Sequence, residues 1–385
     1  MTAKRKSRRF NAGALYRTVT RLHGAIPYHL SPSGYAFPPW HYFLEVTRRC
    51  NLRCRMCQYT AWFEHTPAAD QVKGELTTDE WKDVIDQTGW FSLITFTGGE
   101  PLVRDDFVEL LRHASQKRRT HFITNGTRLS LKKAHACVGL APYNTGGTGL
   151  NSVGVSLQGT RDVQNAIAGQ DDAFERVTEG IRALCQYRDE RGKRCPLVHV
   201  TAVIQQDNLD VLPEMPAIVA GMGADVLNLA IEIRFFELEG VGKRDPEELD
   251  TAKLRLPRID RKALALALQQ TEEAAQKAGI ELRLPRMPRE ELLQYYDGGT
   301  CMECFECRSA WTNLNVGADG GVYPCFIYRL GSVREESLRK LWNGPRMRQF
   351  RRRIRQGVFP ICQGCCELGY VADRCQHAAA NDPAP

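Results

Sequence analysis

Three closely spaced cysteines are the residues of this chain best suited to chemistry. Cys50, Cys54 and Cys57 lie in the run CNLRCRMC, which gives the spacing Cys-x3-Cys-x2-Cys. Thiolates are soft ligands that select iron–sulfur clusters or zinc. Three thiolates can hold three irons of a [4Fe–4S] cube and leave the fourth iron open, and an open metal position is typical of a catalytic site. The spacing therefore indicates a catalytic metal centre.

The remaining cysteines are unevenly distributed, since eight of the 14 lie between residues 301 and 375. The N-terminus lacks the apolar stretch of a secretory signal, and no long apolar run predicts a membrane span, so we expect a cytoplasmic protein. Disulfides are disfavoured in that compartment, so clustered cysteines indicate metal binding. We interpret the isolated Cys137, Cys185 and Cys195 as packing residues.

The charge is moderately basic, with a formal net charge of +7 and basic clusters at 4–9 and 346–353. We interpret these clusters as a solvated tail and a solvated helix face. An acidic electron donor docking on a basic face is the alternative, and we do not expect a nucleic-acid partner. Hydrophobic residues at 43% and charged residues at 25% are typical of a globular protein with an ample core.

Short β-rich runs alternate with longer amphipathic runs from residue 41 onward. The pattern predicts six strands, at 42–46, 93–97, 121–124, 152–157, 198–204 and 226–230. It predicts helices near 78–88, 105–117, 173–190 and 209–221. Strands that alternate with helices predict parallel β-α-β units of the α/β class. Six such strands with right-handed crossovers predict a partial (β/α)6 TIM-like barrel.

Composition divides the chain into five parts. A basic, irregular extension with a short helix (1–40) precedes the barrel core (41–240). A linker with a helix and strand (241–299) completes the core. A small Cys-rich α+β domain (300–376) and a disordered tail (377–385) follow. Within the Cys-rich domain, the turn Asp319-Gly320-Gly321 predicts a hairpin at 313–327, and a helix is predicted near 335–355.

Glycine-rich and polar motifs follow the predicted strands. The runs GGEP at 98–101, TNG at 124–126 and SLQG at 156–159 each come at a strand end, and the cysteine loop follows the first strand. The carboxyl ends of barrel strands carry the active site. We therefore expect these motifs to meet the cysteine loop at one mouth of the barrel.

The Cys-x3-Cys-x2-Cys loop, followed in order by GGEP, ITNG and SLQG, resembles the radical S-adenosylmethionine (SAM) superfamily over residues 41–235. The resemblance implies that the open iron binds the amino and carboxylate groups of SAM. It further implies that an electron from the cluster cleaves SAM to a 5′-deoxyadenosyl radical, which abstracts a hydrogen atom from the substrate. A low-potential donor such as flavodoxin or ferredoxin would supply the electron.

The same resemblance implies SAM-binding roles for several residues. Gly98 and Gly99 allow close approach of SAM, and Glu100 is suited to accept hydrogen bonds from the methionine ammonium. Asn125 and Ser156 are candidates for the ribose or carboxylate, and Gln158 stands where the family often has Asp. Ile204, with its neighbour Val203, either forms an apolar wall against adenine or packs in the core.

The C-terminal region resembles the twitch or SPASM extension found in many of these enzymes. Its pattern is matched by Cys307, twelve residues, Gly320, four residues and Cys325, followed by Cys362-x2-Cys365. The four cysteines are a complete ligand set for an auxiliary [4Fe–4S] cluster, and a structural zinc ribbon is the alternative. The domain has four further thiols, Cys301, Cys304, Cys366 and Cys375. They allow either two or three clusters in the whole chain, and Cys301 could replace one of the four cysteines named above.

An auxiliary cluster that accepts an electron suits net oxidation of a substrate, with Glu232 or Glu237 as the proton acceptor. The alternative outcome is epimerisation, with Cys366 or Cys375 as the hydrogen donor. Because the region before the first strand shows no pattern of a leader-binding domain, we expect a small molecule such as a sugar-like metabolite. The alternatives are a ribosomally made peptide or, in another class, a non-enzymatic iron–sulfur electron carrier. A carrier needs no SAM pocket, and the GGEP and TNG motifs argue against it.

Overall fold

The computed structural model describes residues 12–57, 59–234, 245–325 and 327–374. The strands in this part of the chain are β1 (His41–Thr47), β2 (Leu93–Gly98), β3 (Arg119–Thr124), β4 (Gly149–Ser156), β5 (Leu197–Val203), β6 (Val226–Ala230), β7 (Glu281–Arg283), β8 (Phe305–Cys307), β9 (Asn313–Val316), β10 (Gly321–Tyr323), β11 (Gly331–Ser332) and β12 (Leu368–Tyr370).

The helices of the same residues are α1 (Ala12–Leu30), α2 (Thr60–His65), α3 (Thr78–Asp86), α4 (Phe107–Ser115), α5 (Leu131–Leu140), α6 (Arg161–Ala168), α7 (Ala173–Glu190), α8 (Met215–Gly221), α9 (Arg261–Ala278), α10 (Arg289–Asp297), α11 (Leu338–Trp342) and α12 (Pro345–Gln356). Short 3-10 turns connect several of them. Among the described residues, no helix combines the length and apolar character needed to cross a bilayer.

The six predicted strands form a continuous parallel sheet. Strands β1 to β6 pair in chain order, each parallel to the next. Helical segments lie in every crossover, as parallel pairing requires. In β5, Val198, Val200 and Ala202 are buried while the alternate residues are half-buried, so one face of the strand packs under the helices. The predicted α/β partial barrel is confirmed.

The sheet continues beyond the six barrel strands at both edges. Strand β7 pairs parallel to β6, and β9 pairs parallel to β1. The predicted hairpin is present as β9 and β10, and β11 extends it. Its turn uses Gly320 at a φ of +79°, a conformation that favours glycine, and the Asp319 carboxylate accepts from the amide of Gly321 at 3.0 Å. The pairing of β9 with β1 thus crosses the domain boundary predicted at residue 300.

Two helical predictions need correction. The N-terminal extension was expected to be irregular with a short helix, but α1 is 19 residues long and contains Pro27. It is anchored to the barrel, since His23 lies 2.8 Å from the carbonyl of Pro38. The helix predicted near 335–355 is two helices, α11 and α12, because the chain turns at Gly344 and Pro345 begins α12 with its fixed φ.

Candidate active site

The cysteine loop leaves the carboxyl end of β1 and folds against the end of α6. The amides of Arg53 and Arg55 donate to the carbonyls of Ala168 and Ile167, at 3.3 and 3.1 Å. These backbone bonds fix the loop independently of any metal. They place it over the barrel mouth, where all three of its thiols line one cavity of about 370 Å3. The structure therefore brings together Cys50, Cys54 and Cys57.

The thiols of the loop sit in a partly desolvated environment. Burial is the main cause that raises the pKa of Cys50 to about 11 and of Cys54 to about 12, and it raises the pKa of Cys57 as well. Repulsion between the thiolates adds to the rise for Cys50 and Cys54. Three adjacent thiolates therefore need a cationic partner. The donor set fits three irons of a [4Fe–4S] cluster, because soft thiolates prefer such metals.

Backbone amides point at two of these sulfurs. The amide of Leu52 donates to the Cys50 sulfur at 3.4 Å, and the amide of Tyr59 donates to the Cys57 sulfur at 3.5 Å. Donors of this kind stabilise the charged form of a sulfur. The loop is thus arranged to hold thiolates once a metal offsets their repulsion.

The glycines of the GGEP run bring a second loop against the cysteine loop. The amide of Gly99 donates to the carbonyl of Thr47, and that of Glu100 donates to the carbonyl of Arg49, both at 2.8 Å. A Cβ on Gly99 would lie 2.3 Å from the Arg48 carbonyl oxygen, and one on Gly98 would lie 2.1 Å from that of Thr47. Both glycines also line the cavity. They are therefore needed for loop contact as well as for access to the cavity.

Glu100, the residue predicted to bind the methionine ammonium, is held by three hydrogen bonds within the chain. Its carboxylate is fully buried and accepts hydrogen bonds from the Leu102 amide at 2.9 Å, the Thr124 hydroxyl at 2.7 Å and the Asn125 amide at 2.6 Å. It is not among the residues that line the cavity. Burial raises its pKa, and the donated hydrogen bonds oppose that rise. Glu100 thus joins the ends of β2 and β3 through these hydrogen bonds, and its contact with the methionine ammonium stays a prediction.

Asn125 lines the cavity, and its side chain forms hydrogen bonds with the cysteine loop. Its amide group donates to the Cys50 sulfur at 3.6 Å and to the Asn51 side-chain oxygen at 3.2 Å. Its own side-chain oxygen accepts from the amide and hydroxyl of Thr127, at 3.0 and 2.7 Å. The residue predicted to bind SAM therefore also supports the thiol of Cys50.

Ser156 and Gln158, the two predicted SAM-binding residues at the end of β4, both line the cavity. The side-chain oxygen of Gln158 accepts from the Val203 amide at 2.8 Å, which ties the end of β4 to the end of β5. Ile204 is fully buried and does not line the cavity, while Val203 does. Of the two alternatives for Ile204, burial favours core packing, because adjacent strand residues face opposite sides of the sheet.

The far wall of the cavity follows β6. Ile231, Glu232 and Ile233 lie there, and Glu232 forms an ion pair with Arg234 at 2.5 Å. The backbone of this wall is fixed from α10, because the Tyr295 hydroxyl donates to the Glu232 carbonyl at 2.7 Å. Glu232 is therefore correctly positioned for a role at the cavity. The other predicted proton acceptor, Glu237, lies outside the described residues.

The four cysteines predicted to hold an auxiliary cluster come together at the C-terminal domain. Cys307 ends β8, Cys325 follows β10, and Cys362 and Cys365 follow α12. Mutual proximity contributes to the pKa of three of them. The charges of Cys362 and Cys307 raise that of Cys325, Cys307 raises that of Cys362, and both raise that of Cys365. Burial is the largest cause for Cys325 and Cys362, and it raises the pKa of Cys362 to about 12.

The other described C-terminal cysteines lie around these four. Cys366 is exposed and adjoins Cys365, and their hydrogen bond raises the pKa of Cys365. Cys301 and Cys304 precede β8, with the amide of Cys304 donating to the Cys301 carbonyl at 3.1 Å. Cys304 is disulfide-bonded, so in this structure it is not the free thiol that was predicted as a cluster ligand. Cys375 lies outside the described residues. Over those residues, no three Cys, His, Asp or Glu side chains are grouped to hold a single metal ion; in a [4Fe–4S] cube each thiolate binds its own iron.

The two cysteine groups are linked through the end of β6. A smaller cavity of about 220 Å3 is lined by Cys365, Cys366 and Arg286, and it reaches Ile231. Ile231 also lines the larger cavity. The two cavities therefore share Ile231 as part of their walls.

Several cavity residues had no clear signal in the sequence. Gln164, Ile167 and Ala168 line the cavity from α6, a helix that the periodicity did not predict. Tyr59 also lines it, and its position two residues after Cys57 is the one signal available from the sequence. Thr97 lies at the end of β2, where the strand-end rule applies.

Comparisons with known proteins match this chain to two protein families. The model of the radical SAM superfamily matches residues 44–232, and that of the SPASM iron–sulfur cluster-binding domain matches residues 307–366. A pre-heme d1 synthase of Dinoroseobacter shibae is 26% identical over 336 residues, which cover 81% of this chain and 75% of that relative. A PqqA peptide cyclase of Xanthomonas campestris is 27% identical over 358 residues, covering 89% of this chain and 84% of that relative.

A solved structure shares the fold. The crystal structure of Streptococcus suis SuiB bound to its precursor peptide SuiA superposes with a TM-score of 0.58 at 13% identity, covering 91% of this chain and 74% of that chain. SuiB has also been crystallised with S-adenosylmethionine, at a TM-score of 0.58 and 14% identity over 90% of this chain and 75% of that one.

Proposed function

The chain belongs to the radical SAM superfamily and carries a SPASM iron–sulfur cluster-binding domain, and from this membership we propose that it modifies a ribosomally made peptide. The observation that carries the proposal is one cavity in which three thiols, two glycines and the strand ends meet. A peptide cyclase that aligns across both parts of the chain favours a peptide over the sugar-like metabolite expected from the sequence.

The residues fit the cofactors that this family uses. Cys50, Cys54 and Cys57 would hold the first [4Fe–4S] cluster, because they line one cavity and receive backbone donors. When bound, the cluster and SAM supply a 5′-deoxyadenosyl radical that abstracts a hydrogen atom from the substrate. The glycines keep the cavity open beside the cysteine loop, and Ser156 offers a hydroxyl within it.

The protein's own task is to position and shield the reacting groups. Leu52, Ile167 and Val203 supply apolar wall to the cavity, which excludes water from a radical reaction. Cys307, Cys325, Cys362 and Cys365 would hold an auxiliary [4Fe–4S] cluster that accepts an electron. We propose a net oxidation, in which the substrate loses a hydrogen atom, an electron and a proton. Glu232 is the candidate proton acceptor, because it lines the cavity and is almost fully buried.

A small molecule is the second candidate substrate. The pre-heme d1 synthase that aligns over most of the chain favours modification of a non-peptide compound. A peptide and a small molecule are distinguished by the product: a peptide gains or loses mass on a fragment that mass spectrometry can sequence.

The test uses anaerobically reconstituted protein with dithionite. We expect 5′-deoxyadenosine from the natural protein and none from Cys54→Ala, because two thiolates cannot hold the three irons of the first cluster. Cys325→Ala should retain uncoupled SAM cleavage and lose substrate product. Cys137→Ala, a buried cysteine outside both groups, serves as the matched control. Absence of 5′-deoxyadenosine from the natural protein would contradict the proposed enzyme and leave an electron carrier.

A further inference from the structure

An open groove of about 670 Å3 lies beside the first cysteine site, on the outer side of the barrel. It is formed by the segment that joins β3 to α5 and by the exposed face of α7. Gly180 brings the helix close to this segment, since a Cβ there would lie 3.0 Å from the carbonyl oxygen of Leu129 and 3.2 Å from that of Gly126. The floor of the groove is therefore fixed by backbone contact.

A short hydrogen-bonded path connects the groove to a thiol of the first site. Thr127 lines the groove, and its hydroxyl donates to the Asn125 side-chain oxygen at 2.7 Å. The amide group of Asn125 then donates to the Cys50 sulfur at 3.6 Å. Asn51, the neighbour of Cys50, also donates to the Thr127 hydroxyl at 2.8 Å. Two polar side chains thus separate the groove from the sulfur.

The groove is basic. Arg128, Arg176 and Arg182 line it together with a single carboxylate, Glu179. Arg176 pairs with Asp172 at 2.6 Å. Arg128 and Arg182 are exposed and form no ion pair with another described residue. Exposed arginines in a concave surface attract an acidic partner and accelerate its association.

Apolar surface accompanies this charge. Leu131, 68% exposed, lies at the start of α5 and lines the groove beside Ala183. A mixed surface of this kind, with apolar contacts among charges, is typical of an interface with another protein rather than with a free anion.

The basic face of α12 is less suitable for a partner, because its arginines are used within the chain. Arg353 pairs with Asp245 at 2.6 Å. Arg355 donates to the carbonyls of Tyr28 and Ser31, and Arg352 donates to that of Ser33. These arginines hold the segment after α1 in place. The groove beside α7 therefore has arginines available to a partner, whereas most arginines of the α12 face are bonded within the chain.

We propose that this groove docks an acidic one-electron carrier protein, which delivers its electron to the first cluster past Thr127, Asn125 and Cys50. The carrier loses one electron and the cluster gains one, so no bond forms and no proton is transferred. The inference rests on the proposed function, since it requires a reducible cluster at the cysteine loop. It assigns the groove to the reductant and leaves the barrel mouth to SAM and substrate.

The test reverses the charge of the groove with Arg128→Glu and Arg182→Glu in one variant. The matched control reverses two exposed arginines of α11 and α12, Arg339→Glu and Arg346→Glu. SAM cleavage is measured with reduced flavodoxin as the acidic carrier and, separately, with dithionite, a small reductant that needs no docking. Binding of oxidised flavodoxin is measured by calorimetry, which does not depend on activity.

We expect the groove variant to bind flavodoxin at least about tenfold more weakly, and to lose flavodoxin-driven cleavage in proportion, because complementary charge controls association. Its dithionite-driven cleavage should match that of the natural protein, which also shows that it folds. Unchanged flavodoxin binding in the groove variant, or an equal loss in the Arg339→Glu, Arg346→Glu control, would overturn the inference. Failure of dithionite-driven cleavage in the natural protein would instead contradict the proposed function, and the binding data would still decide the groove.

Discussion

The replacement Glu100→Gln distinguishes a residue that binds SAM from one that positions the site. Glutamine has nearly the same shape as glutamate, but one of its two terminal groups is a donor. The Glu100 carboxylate accepts from three donors, one on Oε2 and two on Oε1. Whichever way the new amide is turned, its NH2 group faces at least one of these donors.

The cost can be estimated from the hydrogen bonds that are lost. A buried backbone N–H left without an acceptor costs about 1–3 kcal/mol, and a hydrogen bond to a charged group contributes about 1.5–3 kcal/mol. Since at least one such bond is replaced by a donor–donor contact, we expect the free energy of unfolding to fall by about 2–4 kcal/mol. Asn125 would also shift, because its amide is the donor to Oε2.

The assay is urea unfolding without SAM, followed by circular dichroism, with Glu109→Gln as the control. Glu109 forms only a partly exposed ion pair with Lys82, so its replacement should cost less than about 1 kcal/mol. If Glu100→Gln left the unfolding free energy unchanged and weakened SAM binding alone, Glu100 would be a ligand and the positioning role would be refuted.

Two other predictions follow from buried and crowded residues. Gly99→Ala should release iron from the cysteine loop, because its Cβ would lie 2.3 Å from the Arg48 carbonyl oxygen; the iron content should be unchanged in Gly139→Ala, where a Cβ meets nothing within 4 Å. Burial raises the pKa of Glu45 to about 7, above the ordinary value, so its stabilising contribution is full below about pH 4.5 and is lost as pH rises through 7. Urea unfolding should therefore show a decrease of about 1 kcal/mol between pH 6 and 8 that is absent in Glu45→Gln, and an identical decrease in both proteins would contradict it.

The sequence was sufficient for the cysteine loop and the barrel strands because their signals are local. Spacing defines the loop, and the strands differ from the runs around them in periodicity and β-branched content. The helix α1 was underestimated because Pro27 and the following Pro/Gly-rich run suggested irregular chain, whereas anchoring to the barrel through His23 is a tertiary contact.

The roles of individual side chains depended on partners distant in the sequence. Glu100 meets donors 24 and 25 residues further along the chain, and no local pattern indicates that they will converge. Val203 and Ile204 are adjacent, and adjacent residues of a strand point to opposite faces of the sheet. An error of one residue in the predicted strand therefore assigns a core side chain to the cavity. The groove beside α7 had no signal either, because its arginines come from two separate elements.

The parallel pairing of β9 with β1 also determines what truncation would do to this protein. Residues 41–44 of β1 are covered on one side by β2 and on the other by residues 313–316 of β9. A chain ending before residue 300 would leave the backbone groups of residues 41–44 unpaired on one side of β1, and such edges recruit strands from other molecules. The C-terminal domain therefore covers the edge strand of the barrel sheet. We expect that its removal would produce aggregated protein rather than a soluble barrel that lacks an electron acceptor.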